Sequence, residues 1–288
     1  MKHPIRPISV SSLEQEFLGN SDFQVKYITS LAYSDDTTIT FYKGDDLDRI
    51  AKTSAGILIV KEELKGKIKD YIASAILFTD NPMLFFAKLL AKNFENTFTD
   101  QKKIVNDESK ISSDAYIEDE VHIGNETKVY PNVTILNSTS IGSNCVIQSG
   151  SVLGGIGMSY VKDDLGNFNK IVQLGILEIC DNVDIGSNVS VLRGIFEKTY
   201  IGEGTKIGNN VNIGHNVVIG KNCYISSGVI IGGACNIGDN CWISPGVSIV
   251  DHIKVGDGAK IGTGAVVIKD VLENSFYLGN PARKIKDL

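Results

Sequence analysis

The sequence predicts a mainly β chain, a parallel β-helix of six-residue repeats over 111–270 preceded by a small α/β domain over 1–100. Two observations carry the helix. An apolar branched residue recurs every six positions, at Ile111, Ile117, Ile123, Val129, Ile135, Ile141, Ile147 and Leu153, and again at Ile179, Ile185 and Val191. After a shift of four it continues without a miss from Ile201 through Ile207, Ile213, Ile219, Ile225, Ile231, Ile237, Ile243, Ile249, Val255 and Ile261 to Val267. The neighbouring offsets keep the same time. Gly follows directly at 124, 142, 186, 202, 208, 214, 220, 232, 238, 256 and 262, and small or β-branched residues such as Thr127, Val189, Thr205, Val217, Ala259 and Ala265 come four later. Neither a helical period of 3.6 nor a strand period of 2 gives this pattern. Six residues fit a short strand and a turn, and three units close a triangular coil of 18 residues. Ile and Val fill the interior, Gly permits the corner, and the small residue fits where space narrows. Between seven and eight coils are expected.

The elements then follow in chain order. YITSLA, TTITFY and AGILIV read as strands of the N-terminal domain, with helical stretches between them. From Asn81-Pro82 onward, Met83, Phe86, Ala87, Leu90 and Phe94 recur at helical spacing, so an amphipathic helix closes that domain, with its apolar stripe turned to the core. A linker is expected over 101–110. The six-residue period stops twice, over 154–178 and between Val191 and Ile201. Because it resumes, each interruption reads as a loop thrown outward from a coil, and a long loop on a rigid scaffold commonly walls a binding site. Its Gly-rich start lacks the strand-to-helix context of a phosphate loop. Residues 271–288 form a C-terminal tail.

Composition removes several functions. The chain has 288 residues, 42% of them hydrophobic and 22% charged, with a formal net charge of −6, which is the balance of a globular protein rather than a disordered or collagenous one. A sequence pI near 5.3 offers no Lys/Arg stripe for phosphate backbones, so nucleic acid is not an expected partner. No apolar run reaches the roughly 18 residues of a membrane span, and MKHPIRPISV has no signal-peptide core, so a cytoplasmic location is expected. The five cysteines hold no CxxC pair and suit neither a metal knuckle nor a disulfide framework. Cys145, Cys223, Cys235 and Cys241 fall at the small-residue offset and read as packing residues.

Four histidines exist, His3, His122, His215 and His252. His215 lies two residues after Ile213 and His252 three after Ile249, two coils on, so both belong to one corner about 10 Å apart along the axis. One coil beyond His215 stands Gly233, so the surface between the histidines is nearly bare and a groove is expected there. Counted in eighteens, His122 is five coils from His215, about 24 Å away. No metal site is expected. An imidazole, whose ordinary pKa is about 6.5, takes a proton from an attacking amine or hydroxyl near neutral pH. Acyl transfer from a thioester also needs an N–H aimed at the developing oxyanion, and Gly233 N–H is the candidate. A non-catalytic scaffold would show a regular exposed row such as repeated Thr, whereas the exposed offsets mix Lys, Asn, Asp and Glu.

The repeat is similar to the hexapeptide repeat of left-handed parallel β-helix proteins. In order, GGIGMSYVKDDLGNFNKIVQLG, IGNNVNIGHNVVIG and DHIKVGDG resemble strings of the UDP-3-O-acylglucosamine N-acyltransferase family of lipid A synthesis. ITSLAYSDDTTITFY, KTSAGILIV and NPMLFFAKLL resemble that family's uridine-binding domain. The resemblance implies a homotrimer with active sites in grooves between adjacent helices, His215 as general base and His252 as the second histidine. It also implies Asn216, Arg193, Asn209, Gly155, Met158, Gln173 and Phe41 as substrate-binding positions, a nucleotide-linked amino sugar as substrate, and an acyl thioester, acyl-CoA or acyl carrier protein, as donor.

The chain departs from the family at three places. Gly44, Asp45, Asp46 and Leu47 stand where the family carries Asn-Pro-Lys-Tyr, which removes the aromatic that helps hold uracil. Leu192 and Gly208 replace two acidic residues beside Arg193 and Asn209. FYLGNPARKIK resembles the tail of CoA-dependent sugar acetyltransferases, which implies Arg283, Lys284 and Lys286 as partners of the donor's phosphates. Transfer of a 3-hydroxyacyl chain from acyl carrier protein, as in lipid A synthesis proper, is the alternative.

Overall fold

The computed structural model describes residues 1–94 and 110–288; the expected linker, save Lys110, lies outside the described residues. They divide into two compact units, 1–94 with Met158–Leu174, and 110–157 with Gly175–Leu288.

The first unit holds a six-stranded sheet of β1 (His3–Ser9), β2 (Phe17–Gly19), β3 (Gln24–Ile28), β4 (Thr38–Phe41), β5 (Ile57–Lys61) and β6 (Ala75–Thr79), in the order β1-β3-β4-β5-β6-β2. The strands from β3 to β6 run parallel, with β1 and β2 antiparallel at the edges. Ile57, Leu58, Ile59 and Val60 are all buried, the unbroken apolar run of a parallel strand covered on both faces. YITSLA is strand only to Ile28; Leu31–Tyr33 turns as a 3-10 helix. Helix α1 (Leu47–Ala51) starts on an Asp46 cap. Helix α2 (Pro82–Asn93) begins where the sequence indicates, because Asn81 accepts from Leu84 N at 3.0 Å and Pro82 occupies the first turn. Phe86, Ala87 and Leu90 are buried as its spacing requires.

The long interruption is corrected by the structure. Expected as an outward loop of the β-helix, its middle is instead a β-hairpin, Tyr160–Lys162 against Phe168–Lys170, that packs on α2 within the first unit. The sequence dictates the hairpin: the Asp163 carboxylate accepts from Leu165 N and Asn167 N, and Gly166 supplies the positive φ that the turn needs.

In the second unit the period becomes geometry. Lys128–Val129 pairs in parallel with Val146–Ile147, 18 residues on. Every third strand stacks this way, giving three faces whose sheets contain 10, 8 and 7 strands. Ile135, Ile147, Ile185, Ile201, Ile225, Ile243 and Ile261 are fully buried in one continuous core. Removing one such filler leaves a cavity that the stacked coils cannot close. Ile225→Ala is therefore expected to lower unfolding free energy by about 2–5 kcal/mol in denaturant titration.

The small-residue offset also has a chemical reason. Thr127 and Thr205 donate to Gly142 O (2.7 Å) and Gly220 O (2.9 Å) and accept from Cys145 N and Cys223 N. Cys223 and Cys241 donate to Gly238 O and Gly256 O at 3.0 and 3.2 Å. A short side chain with one weak donor reaches the corner carbonyl there. Burial pushes the Cys145 and Cys235 thiols above their ordinary range, away from the thiolate that a nucleophile requires. The expected C-terminal tail is two strands: Ser275–Leu278 adds in parallel to Lys260–Ile261, and Arg283–Asp287 folds back antiparallel on it.

Candidate functional site

His215 stands at the corner after the face built by Asn212–Ile213, Ile230–Ile231 and Ser248–Ile249, which pair in that order. The corner backbone stacks His215 on Gly233 and brings His252 to the same corner one residue along, in the column of Asn216 and Ala234: Ala234 N donates to His215 O (2.8 Å) and His252 N to Gly233 O (2.9 Å). The half-buried His215 ring lies directly over Gly233, where a Cβ would come within 2.8 Å of both Cε1 and Nε2. The ring's other nitrogen, Nδ1, is 3.2 Å from Asn216 Oδ1.

This corner differs from several others. At four of them the main-chain N–H at this position is bonded by a side chain one coil on: Ser143 to Asp181, Ser187 to Asn209, Lys221 to Asp239 and Asp239 to Asp257. Gly233 brings no side chain to His215 N. Asp251, next in the stack, points at His252, with Oδ2 3.8 Å from Nε2. Among the described residues, the N–H groups of His215 and Gly233 have no acceptor. Unpaired main-chain N–H groups near an imidazole are the kind of donor that stabilises an oxyanion.

The backbone marks the same corner. From Ile201 onward each coil corner passes through positive φ on Asn or Gly, at Gly204, Asn210, Asn216, Asn222, Gly228, Asn240, Gly246, Gly258 and Gly264. The exceptions are Ala234 and His252, both on this corner. A side chain other than Gly or Asn held there costs about 1–2 kcal/mol, and such strain gathers at working sites. His252→Asn is accordingly expected to raise unfolding free energy by about 1 kcal/mol in thermal and denaturant melts while lowering turnover.

His252 itself is 77% exposed in its side chain. His122 lies four strand steps, not five, from the rung beside His215, since 122, 140, 178, 200 and 218 pair in succession. Counting in eighteens included insertion residues that add no height. The separation is about 19 Å, and the described residues contain no cluster of three or more His, Cys, Asp or Glu side chains placed to hold a metal ion.

The other expected positions scatter. Asn209 lies on a different corner, after Lys206–Ile207, accepting from Ser187 N (2.8 Å) and itself bonded to Ser227 Oγ. It lines a 480 Å³ groove with Gln148, Asp184, Ser187 and Ser227. Arg193 is 7% exposed, and Nε, Nη1 and Nη2 are bonded to Gly154 O, Asn137 Oδ1 and Asn137 O at 2.8–2.9 Å. Those donors are committed to the fold rather than presented to a ligand. Gly155 lies in a strand against Leu192. Met158, 88% exposed, and Gln173, buried and donating to Ser159 Oγ, belong to the first unit. Phe41 packs on Phe86 at 4.9 Å in that unit. Arg283, Lys284 and Lys286 are exposed on the C-terminal hairpin, where Lys284 pairs with Asp287 at 2.6 Å.

Comparison with known proteins agrees with this architecture. The family description "Bacterial transferase hexapeptide (six repeats)" matches residues 120–155, 198–233 and 234–269. A UDP-3-O-acylglucosamine N-acyltransferase of Helicobacter pylori strain J99 is 34% identical over 217 residues, 67% of this chain and 63% of that protein. One from Syntrophobacter fumaroxidans is 42% identical over 55 residues, 19% of this chain and 16% of that protein. The chain thus spans less than two thirds of the length of the curated relatives it matches. Among solved structures, the UDP-N-acetylglucosamine acyltransferase of Francisella novicida superposes with TM-score 0.53 at 23% identity, covering 64% of this chain and 70% of that one. The Campylobacter jejuni enzyme gives 0.50 at 19%, covering 62% and 75%; both likenesses concern the fold. The chain is a hexapeptide-repeat protein with the left-handed parallel β-helix fold, similar over two thirds of its length to UDP-3-O-acylglucosamine N-acyltransferases.

Proposed function

We propose that this protein is an N-acyltransferase that moves an acyl group from a thioester to the amine of a nucleotide-linked amino sugar. The observation that carries the reading is the His215 imidazole seated over the bare Gly233 corner, with two unpaired main-chain N–H groups beside it. In the reaction the amine nitrogen attacks the thioester carbonyl carbon while His215 Nε2 takes its proton. Gly233 N–H donates to the carbonyl oxygen as it becomes an oxyanion. The C–S bond then breaks, the proton passes to the leaving thiolate, and an amide and a free thiol remain.

Similarity to the Helicobacter pylori relative supports the sugar nucleotide as acceptor, and His252, on the same corner as His215, is proposed to contact it. Asn209 and the groove around it are proposed as a second part of the substrate surface, and Phe41 of the first unit as a contact of the base. Two donors remain in the proposal. The tail string FYLGNPARKIK favours acyl-CoA held through Arg283, Lys284 and Lys286, whereas the relatives' name, UDP-3-O-acylglucosamine N-acyltransferase, favours that acylated sugar as acceptor, with acyl carrier protein as the alternative donor. The assembly proposed is a homotrimer, for which sedimentation would return three times the 31.2 kDa chain mass.

A thiol-release assay of the purified protein with acetyl-CoA and with 3-hydroxyacyl carrier protein, against a panel of UDP- and dTDP-linked amino sugars, separates these. Turnover with acetyl-CoA assigns a glycan-modifying enzyme. Turnover only with the carrier protein and UDP-3-O-acylglucosamine assigns lipid A synthesis. Thiol release independent of every amino sugar would reject the reading.

A further inference from the structure

We infer that Arg193 is a positioning residue for His215, acting through the 193–197 insertion and the Asn216 carboxamide to hold the imidazole with its proton on Nδ1 and its lone pair on Nε2. The inference deepens the acyltransferase reading and rests on it for its consequence in turnover.

One group in this chain of contacts has no choice of role. A main-chain N–H only donates, and Ile195 N lies 3.0 Å from the Asn216 side-chain atom that also faces His215. That atom is therefore the carbonyl oxygen, so the orientation of the amide is dictated by Ile195. The same oxygen is 3.2 Å from His215 Nδ1. An amide oxygen only accepts, so Nδ1 carries the hydrogen and Nε2, the nitrogen over Gly233, keeps its lone pair. The Asn216 main chain is fixed independently, its N–H donating to the buried Thr199 Oγ1 at 2.9 Å.

What places Ile195 is the insertion that interrupts the six-residue period between Val191 and Ile201. Its anchor is the buried guanidinium of Arg193, bonded to Gly154 O and to both oxygens of Asn137, whose own N–H is held by Glu118 Oε2 at 2.8 Å. Burial lowers the Arg193 pKa from its ordinary value and the Glu118 charge opposes this, so the cation has a counter-charge in place. Gly194 N donates to Ile176 O, and Gly175 N to Ile195 O. A Cβ on Gly175 would fall 2.0 Å from Glu197 O, so the two segments close with no room for a side chain. The path runs Gly154, Arg193, Ile195, Asn216, His215, within one compact unit.

The test is ¹⁵N NMR of the full-length protein with labelled histidine, the His215 signals being assigned by their loss in His215→Gln, alongside steady-state kinetics. At a pH high enough for the ring to be neutral, wild-type protein is expected to show Nδ1 protonated and Nε2 bare. Arg193→Lys keeps a charge facing Glu118 but cannot reach Gly154 and Asn137 together. It is expected to give mixed tautomers and a kcat lower by at least about tenfold, with KM for the sugar within about twofold; a wholly wrong tautomer in a serine-protease triad costs roughly 10⁴-fold. Asn216→Ala removes the oxygen at the half-exposed end without disturbing the buried anchor, so it keeps the test decisive if Arg193→Lys does not fold; it too is expected to lose the tautomer preference. A wild-type ring protonated on Nε2, or variants whose His215 signals match wild type, would overturn the inference. The tautomer is read without substrate. Correct tautomers without acyl transfer therefore count against the proposed function, and an Nε2-protonated ring in an active enzyme counts against this inference alone.

Discussion

His215→Ala is expected to lower amine acylation by roughly 10²–10⁴-fold while leaving the β-helix intact. The half-buried ring makes no contribution to the coil interior, which is filled by Ile213, Val217, Ile231 and their neighbours. The substitution thus removes a proton acceptor and little packing. Its loss should appear in kcat and kcat/KM together, since proton transfer belongs to the transition state and not to substrate binding. A variant that keeps more than about a tenth of wild-type turnover contradicts the base assignment, because that deficit is smaller than general base catalysis supplies.

Gly233→Ala should be nearly as damaging although it adds one methyl group. The Gly233 φ lies outside the left-handed range, so the backbone accepts alanine. The new Cβ would sit 2.8 Å from Cε1 and Nε2 of His215 and 3.2 Å from Nδ1, closer than carbon and imidazole atoms approach. The ring must swing away, giving up Asn216 Oδ1 and the position over the corner. A displacement of about 1 Å at a reacting group can cost 10²-fold, and a drop of about that size in kcat is expected, with a melting temperature close to wild type. Turnover within threefold of wild type would mean that the ring's seat on Gly233 is not the productive one.

The coil architecture was legible because a solenoid repeats one environment, and each of Ile201 through Val267 meets the same interior in turn. The corner shared by His215, Gly233 and His252 followed from the same count. The hairpin around Asp163 was legible as an interruption but not as part of the first unit, since nothing in a period announces which surface an inserted segment packs against. Arg193 illustrates a different loss. Family resemblance placed it beside the substrate, whereas two of its three partners, Gly154 O and Asn137 O, are main-chain carbonyls that any sequence would supply, and the third, Asn137 Oδ1, lies 56 residues away with no pattern to link the two. Asn209 resembles a site residue by string yet sits one face away from His215, because six residues turn the chain by a third of a coil. A further signal lies in the corners: from Ile201 onward the run of Asn and Gly breaks at Ala234 and His252, beside the candidate base, although earlier coils also break it at Glu120, Glu126 and Ser138.

The central claim is that an amide forms on a nucleotide-linked amino sugar with His215 as base. The most direct measurement is mass spectrometry of the sugar nucleotide after incubation with wild-type or His215→Ala protein and thioester, followed by hydroxylamine at neutral pH, which cleaves esters and spares amides. Wild-type protein is expected to yield an acylated product that survives hydroxylamine, and His215→Ala at least a hundredfold less of it, as for loss of a general base. A hydroxylamine-labile ester, or equal product from both proteins, would contradict it.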